Sequence, residues 1–205
     1  VSLNSQINWV PKSTGDKRFS NWLSSANDWN LSRSRYWGIP LPIWRTIDKS
    51  ETKVIGSLKE LKNEIIISLK NKHIDFDPLK DFEVDNMNNA NYDKIDLHKD
   101  TVDKIILSSD KGKPMYREKD LIDVWFDSGA MPYAQVHYPF ENKDLIDKKK
   151  FFPADYIAEG VDQTRGWFYT LHVISTIVFD SISYKNVVSN GLVLDKNGQK
   201  MSKRL

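Results

Sequence analysis

Between residues 151 and 199 the chain alternates apolar and glycine-punctuated stretches in an order that few folds can accommodate. Phe151-Phe152-Pro153-Ala154-Asp155-Tyr156-Ile157-Ala158 reads as a short apolar strand that ends in a turn at Glu159-Gly160. From about Asp162 the pattern predicts a helix, with Trp167, Leu171, Ile174 and Val178 on one stripe. Asn186 to Leu194 reads as a second strand, and Lys196-Asn197-Gly198 is a turn signal leading to Lys200-Met201-Ser202-Lys203-Arg204. A strand that ends in glycine and feeds a helix N-terminus is how open α/β sheets build nucleotide sites. The first helical N–H groups and the positive end of the helix dipole both face the ligand there. The expected class is α/β, with half of a doubly wound parallel sheet.

The rest of the chain divides by composition. Residues 1–45 hold Trp9-Val10-Pro11, a short amphipathic helix suggested by Phe19, Trp22, Leu23 and Ala26, and Arg33-Ser34-Arg35-Tyr36-Trp37-Gly38. Pro40 and Pro42 restrict that region to an edge or irregular extended segment. Residues 46–115 turn to Lys, Asn, Asp and Ile and read as a peripheral insertion. Ser57-Leu58-Lys59-Glu60 is a capping box, followed by Leu58, Leu61, Ile65 and Leu69 on one helix face. Asp85 to Asn91 reads as a polar, flexible stretch, and Val102 to Leu107 as a strand. Residues 116–205 form the nucleotide-binding part, in which Leu121 to Phe126 is expected as a strand entering a loop at Asp127-Ser128-Gly129.

Composition narrows the function classes. The formal net charge of +2 across 205 residues gives no global field for nucleic acid, so any steering must come from local clusters. With no cysteine the chain has no disulfide and no zinc site built on thiolates. No run of about eighteen apolar residues and no signal peptide is visible, and the expected location is cytoplasmic. The chain starts at Val1 and stops one residue after the cationic loop, which suggests a piece excised from a longer enzyme.

Three constellations can carry chemistry. Lys196, Lys200, Lys203 and Arg204 form a local surplus of cations, either a solvated basic turn or a loop that neutralises phosphates. Gly160 allows close approach of a ligand to the backbone. Asp162 can accept from ribose hydroxyls or simply cap the helix, and Gln163 offers both a donor and an acceptor. Trp125 and Trp167 are flat apolar surfaces able to sandwich an aliphatic group, or ordinary core aromatics. The four histidines show no metal-ligand spacing, and no metal site is expected.

Asp123-Val124-Trp125-Phe126-Asp127-Ser128-Gly129, the run Glu159-Gly160-Val161-Asp162-Gln163-Thr164-Arg165-Gly166-Trp167-Phe168 and Lys200-Met201-Ser202-Lys203-Arg204 together resemble the class I aminoacyl-tRNA synthetases, and among them the isoleucyl enzymes. The resemblance covers most of the chain and implies a Rossmann-like domain that activates isoleucine with ATP and transfers it to tRNA(Ile). It implies phosphate contacts from Lys200 and Lys203. It implies adenylate contacts from Glu159, Gly160, Asp162, Gln163, Gly191, Val193 and Met201, with Asp162 on the ribose and Glu159 and Gln163 near the amino acid. Trp125 and Trp167, with Gln163, would form the amino-acid pocket, and Mg2+ would accompany ATP. Arg33 and Arg35, beside Tyr36 and Trp37, would either touch the tRNA acceptor strand by phosphate contact and stacking or serve a structural role between core and insertion. The family's histidine motif is not in this chain, so the remainder of a parent chain, with the histidine-motif half and the editing and anticodon domains, is an expected partner. Residues 1–45 would then be the re-entry into the core after the editing insertion. A valyl-type synthetase and a non-catalytic RNA-binding or accessory module are the alternative readings.

Overall fold

A computed structural model of the chain describes residues 1–199 and 201. In chain order the strands are β1 (Asn8–Val10), β2 (Ser32–Arg33), β3 (Ile43–Thr46), β4 (Thr52–Val54), β5 (Leu107–Ser108), β6 (Pro114–Arg117), β7 (Leu121–Ile122), β8 (Ala154–Gly160) and β9 (Tyr184–Asn190). The helices are α1 (Ser20–Ser24), α2 (Leu58–Lys70), α3 (Asn89–Tyr92), α4 (Lys99–Val102), α5 (Val124–Ala134), α6 (Lys143–Asp147) and α7 (Trp167–Phe179). Backbone packing gathers them into two compact units, residues 1–29 with the described residues from 125 onward, and residues 30–124. The segment boundaries expected at 45/46 and 115/116 both fall inside the second unit. They cut through β3 and β6, which hydrogen-bond to each other as antiparallel neighbours.

In the first unit β1, β9 and β8 form a parallel sheet in that order. Parallel neighbours cannot be joined by a tight hairpin, and α7 supplies the crossover from β8 to β9. This is the doubly wound arrangement expected of an α/β nucleotide fold. Its core sets Trp9, Phe19, Phe168, Leu171, Tyr184 and Val187 against one another. The Trp9 and Phe168 rings meet edge to face at 5.6 Å, and the Trp9 indole N–H donates to Asn4 Oδ1 at 2.9 Å.

The α7 helix departs from the expected stripe. It starts at Trp167, after a 3-10 turn over Val161–Arg165 and a Gly166 that is neither helical nor extended (φ −138°, ψ −116°), so it is shorter than a helix begun at Asp162. Phe168 and Leu171 enter the sheet-facing core, while Ile174 packs into a second cluster with Tyr133, Ile146 and Phe152. Val178 is 59 % exposed. Buried on two sides, α7 lies wedged within its unit. The expected strand Leu121 to Phe126 is also corrected: β7 is two residues long, and helix α5 runs from Val124 through Asp127-Ser128-Gly129.

In the second unit β4, β3, β6 and β5 form an antiparallel sheet in that order. Against it lies α2, whose Leu61 and Ile65 are buried with Trp44, Leu107 and Met115. The N-cap half of the capping box forms as the sequence predicts, Ser57 Oγ accepting from the Glu60 N–H at 3.1 Å, while the reciprocal bond moves one residue back. The Glu60 carboxylate in turn accepts from the Gly56 N–H at 2.7 Å. Two readings in this unit are overturned. Asn91 lies not in a loose polar stretch but on α3, 2 % exposed, its amide donating to the carbonyls of Glu83 and Asn86. Val102 closes α4, and the strand is only Leu107–Ser108. Among the described residues no helix is long and apolar enough to cross a membrane.

Candidate functional site

Strands β8 and β9 run in register to their ends, with Glu159 opposite Ser189 and Gly160 opposite Asn190. Both strands therefore release the chain at the same edge of the sheet. From β8 the exit is the 3-10 turn carrying Asp162 and Gln163; from β9 it is the segment carrying Gly191 and Val193. Glu159, Gly160, Asp162, Gln163, Gly191 and Val193 are thus gathered at the carboxyl ends of neighbouring parallel strands, where open α/β sheets take their ligands. Val193 is 73 % exposed, and space is open around Gly191.

The turn is tightly organised. Gln163 Oε1 accepts the Trp167 N–H at 2.8 Å, so the first turn of α7 is capped by a side chain from four residues upstream. The Asp162 carboxylate does not cap α7; it accepts from Gln163 Nε2 at 3.2 Å and is exposed. Two glycines make room for these groups. A β-carbon at Gly160 would lie 2.5 Å from Asp162 Oδ1, and one at Gly166 would lie 2.5 Å from Gln163 Oε1. Beneath them Thr164 is fully buried, accepting from Arg18 Nε at 2.9 Å and donating to the Val161 carbonyl at 2.7 Å. The exposed carboxylates of Glu159 and Asp162 thereby stand on a rigid base.

Trp125 and Trp167 come from two helices that the fold brings together. The Trp167 indole N–H donates to the Ser128 carbonyl on α5 at 2.9 Å. The edge of Trp125 comes within 3.3 Å of where a β-carbon on Gly166 would sit. Trp125, 42 % exposed, opens on a cleft of about 300 Å³ that is also lined by Trp22, Asp28, Trp29, Arg165 and Tyr169. The Arg165 guanidinium lies 4.6 Å from the centre of the Trp22 ring, a cation–π contact. Asp28, Arg165 and Tyr169 are cleft residues to which sequence pattern assigns no role. Their one available signal was that Arg165 lies in the same run as Asp162, and Asp28 beside Trp29.

After β9, Asp195 organises the expected turn: its carboxylate accepts from the N–H groups of Asn197 and Gln199, both at 2.8 Å. Met201 is 62 % exposed. Lys200 and Lys203, together with Ser202 and Arg204, lie outside the described residues. Among the described residues no group of three or more His, Asp or Glu side chains is arranged to hold a metal ion. His172, left without a role, is 2 % exposed, and burial holds its imidazole down to about 4.

The whole chain, residues 1–205, matches the family model described as tRNA synthetases class I (I, L, M and V). It is 66% identical over 207 residues to an isoleucine–tRNA ligase of Bacteroides fragilis, covering 100% of this chain and 18% of that protein. It is 60% identical over 205 residues to one of Porphyromonas gingivalis, again covering 100% of this chain and 18% of the relative. To the cytoplasmic isoleucine–tRNA ligase of Schizosaccharomyces pombe it is 48% identical over 198 residues, 96% of this chain and 16% of that one. The chain therefore spans less than a fifth of the length of these curated relatives. Among solved structures, the ternary complex of Agrobacterium radiobacter K84 agnB2 LeuRS-tRNA-LeuAMS superposes with a TM-score of 0.56 at 16% identity. That match covers 94% of this chain and 24% of the other, and it supports the parallel-sheet fold. The chain belongs to the class I tRNA synthetases of the I, L, M and V group.

Proposed function

We propose that this chain is part of an isoleucine–tRNA ligase, supplying one side of the site that makes isoleucyl-adenylate from isoleucine and ATP and passes the isoleucyl group to tRNA(Ile). The observation that carries this reading is 66% identity across the whole chain to a protein named for that activity. The geometry supports it. An exposed carboxylate that does not cap α7 stands at the carboxyl ends of two parallel strands, with aromatic faces on the adjoining helices, an arrangement suited to a ribose and an aliphatic group.

In the proposed reaction a carboxylate oxygen of isoleucine bonds to the α-phosphorus of ATP as the bond to the leaving pyrophosphate breaks. A hydroxyl of the tRNA terminal ribose then attacks the acyl carbon, and AMP leaves. Asp162 accepts from the ribose hydroxyls, Glu159 lies toward the ammonium of the amino acid, and Gly160 lets the nucleotide approach the strand end. Gly191, Val193 and Met201 border the adenylate from the β9 side. Lys200 and Lys203 stabilise the charge that grows on the departing phosphates, a gain larger in the transition state than in the ground state. Mg2+ arrives with ATP as part of the substrate. Catalysis is by positioning and electrostatics, with no covalent enzyme intermediate. Trp125 and Trp167 border an aliphatic side chain. Apolar contact alone separates isoleucine from valine by about one methylene of burial, roughly 0.8 kcal/mol. The parent chain supplies the histidine-motif half and the editing and anticodon domains, with residues 46–115 as a peripheral insertion, and the setting is cytoplasmic.

The test is amino-acid-dependent ATP–pyrophosphate exchange by the complete synthetase that carries this segment. The expected result is exchange driven by isoleucine in preference to valine. Preference for valine, or no exchange with either, would overturn the proposal.

A further inference from the structure

Just before α1 the backbone makes a rare turn. Thr14–Phe19 is π-helical and runs straight into α1, and the Ser20 N–H reaches back five residues to the Gly15 carbonyl. Turns of this kind are uncommon and are found frequently at functional sites. Here a buried side chain holds the turn. Asn4 is 4 % exposed, and its amide nitrogen donates to the Gly15 carbonyl at 3.1 Å and to Ser20 Oγ at 3.2 Å, spanning both ends of the turn. Its amide oxygen accepts the Trp9 indole N–H at 2.9 Å. Gly15 has no room for a side chain, since a β-carbon there would overlap the Trp9 indole.

Closing a turn on five residues instead of four rotates the side chains that follow about the helix axis. Phe19 enters the core, 0 % exposed, and Arg18 reaches across 146 positions of sequence to Thr164. The Arg18 Nε–H can only donate, and it meets Thr164 Oγ1 at 2.9 Å. The single hydroxyl proton of Thr164 goes to the Val161 carbonyl at 2.7 Å. Val161 and Thr164 bracket Asp162 and Gln163, so these two bonds tie the 3-10 turn to the π-helical one. Among the described residues Arg18 has no carboxylate partner, so no ion pair accounts for where its guanidinium lies.

We propose that the π-helical turn clamps the turn carrying Asp162, with Arg18 as a positioning residue. Through Thr164, Arg18 fixes that turn and sets how tightly ATP is held, without touching the ligand itself. Asn4 keeps the clamp in place. The proposal rests on the adenylate-site reading for what binds, and goes beyond it in naming what governs the site: an asparagine and an arginine from the opposite end of the chain.

The test uses Arg18→Met, Thr164→Val, Thr164→Ser and the double variant Arg18→Met/Thr164→Val in the complete synthetase, with two readouts. Amide hydrogen exchange over residues 161–166 without ligand reads the clamp. It should quicken about tenfold in Arg18→Met and at least as much in Thr164→Val. The double variant should go no further than Thr164→Val alone, and Thr164→Ser, which keeps the hydroxyl, should stay near wild type. ATP affinity and ATP KM should weaken about five- to tenfold in the same pattern, with isoleucine KM within about twofold. Unchanged hydrogen exchange in Arg18→Met would overturn the proposal. Faster hydrogen exchange with unchanged ATP affinity would make the bond structural only and overturn the positioning role. Effects of the two substitutions that multiply in the double variant would show that they act separately, and overturn it equally. Isoleucine-dependent pyrophosphate exchange by the wild type tests the functional reading separately. If that is absent while Arg18→Met still weakens ATP affinity, the functional reading fails and the role of Arg18 stands.

Discussion

Gly129 on α5 and Thr170 on α7 meet so closely that a β-carbon at 129 would lie 3.0 Å from the Thr170 carbonyl carbon and 2.8 Å from Ile174 Cδ1. This contact sets the distance between the helix bearing Trp125 and the helix bearing Trp167. The Ser128 carbonyl, one residue before Gly129, is the acceptor for the Trp167 indole. Glycine is disfavoured inside a helix, so at this position close approach of a neighbouring backbone outweighs propensity.

Gly129→Val forces the two helices apart. Overpacking of this kind costs about 1–3 kcal/mol, and the expected loss is in that range despite the gain in backbone rigidity. A urea titration measures it, and the fluorescence of Trp167 should shift as its bond to Ser128 lengthens. Unchanged stability would mean that the helices are not held at this distance.

His172 gives the first unit a pH dependence. Its imidazole falls from the ordinary 6.5 to about 4 because burial disfavours the charged form. The unfolded chain therefore takes up this proton at a higher pH than the folded one. The corresponding stability is fully present above about pH 6.5 and is lost as pH falls toward 4, with a limit of about 3 kcal/mol. Denaturant titrations between pH 7 and 4 should show His172→Phe losing less stability on acidification than the wild type. Equal slopes would contradict the burial of a neutral imidazole.

The capping box tests the second unit. Ser57→Ala removes the acceptor for the Glu60 N–H and should cost about 1 kcal/mol, while Ser57→Asp should retain most of the stability. Thermal unfolding of the two variants decides this. A neutral Ser57→Ala would show that α2 is held by its apolar face alone.

In the complete synthetase, Trp125→Ala should raise isoleucine KM about tenfold through lost apolar contact, with ATP KM little changed. Steady-state exchange kinetics measure both. A change confined to ATP would move Trp125 out of the amino-acid pocket and assign the cleft beside it to the nucleotide.

The sequence was informative where a local pattern decides the structure. Ser57 caps α2 as predicted and Glu60 reaches back to the Gly56 N–H, one residue before the cap, because these partners lie within four residues. Glu159, Gly160, Asp162 and Gln163 were readable as one group because a single strand–turn–helix junction carries them. Tertiary contact decided the rest. Ser128, Gly129 and Pro132 are weak helix formers, so α5 was hidden until its packing on α7 supplied the stabilisation. Asn91 looked like a loop residue because nothing local announces that Glu83 and Asn86 will satisfy its amide. Val178 continues the helical spacing of Leu171 and Ile174 yet stands exposed, because tertiary packing decides which turns of a helix are covered and periodicity alone does not reveal it. Arg165 and Asp28 share a cleft across well over a hundred residues of sequence, and neither carries a mark of it.

The most direct test is a crystal structure of the complete synthetase with a non-hydrolysable isoleucyl-adenylate analogue. The account predicts the ribose hydroxyls within hydrogen-bond distance of the Asp162 carboxylate, Gln163 against the aminoacyl end of the analogue, and the aliphatic side chain bordered by Trp125 and Trp167. An analogue bound with its ribose away from Asp162, or outside the carboxyl ends of β8 and β9, would contradict it.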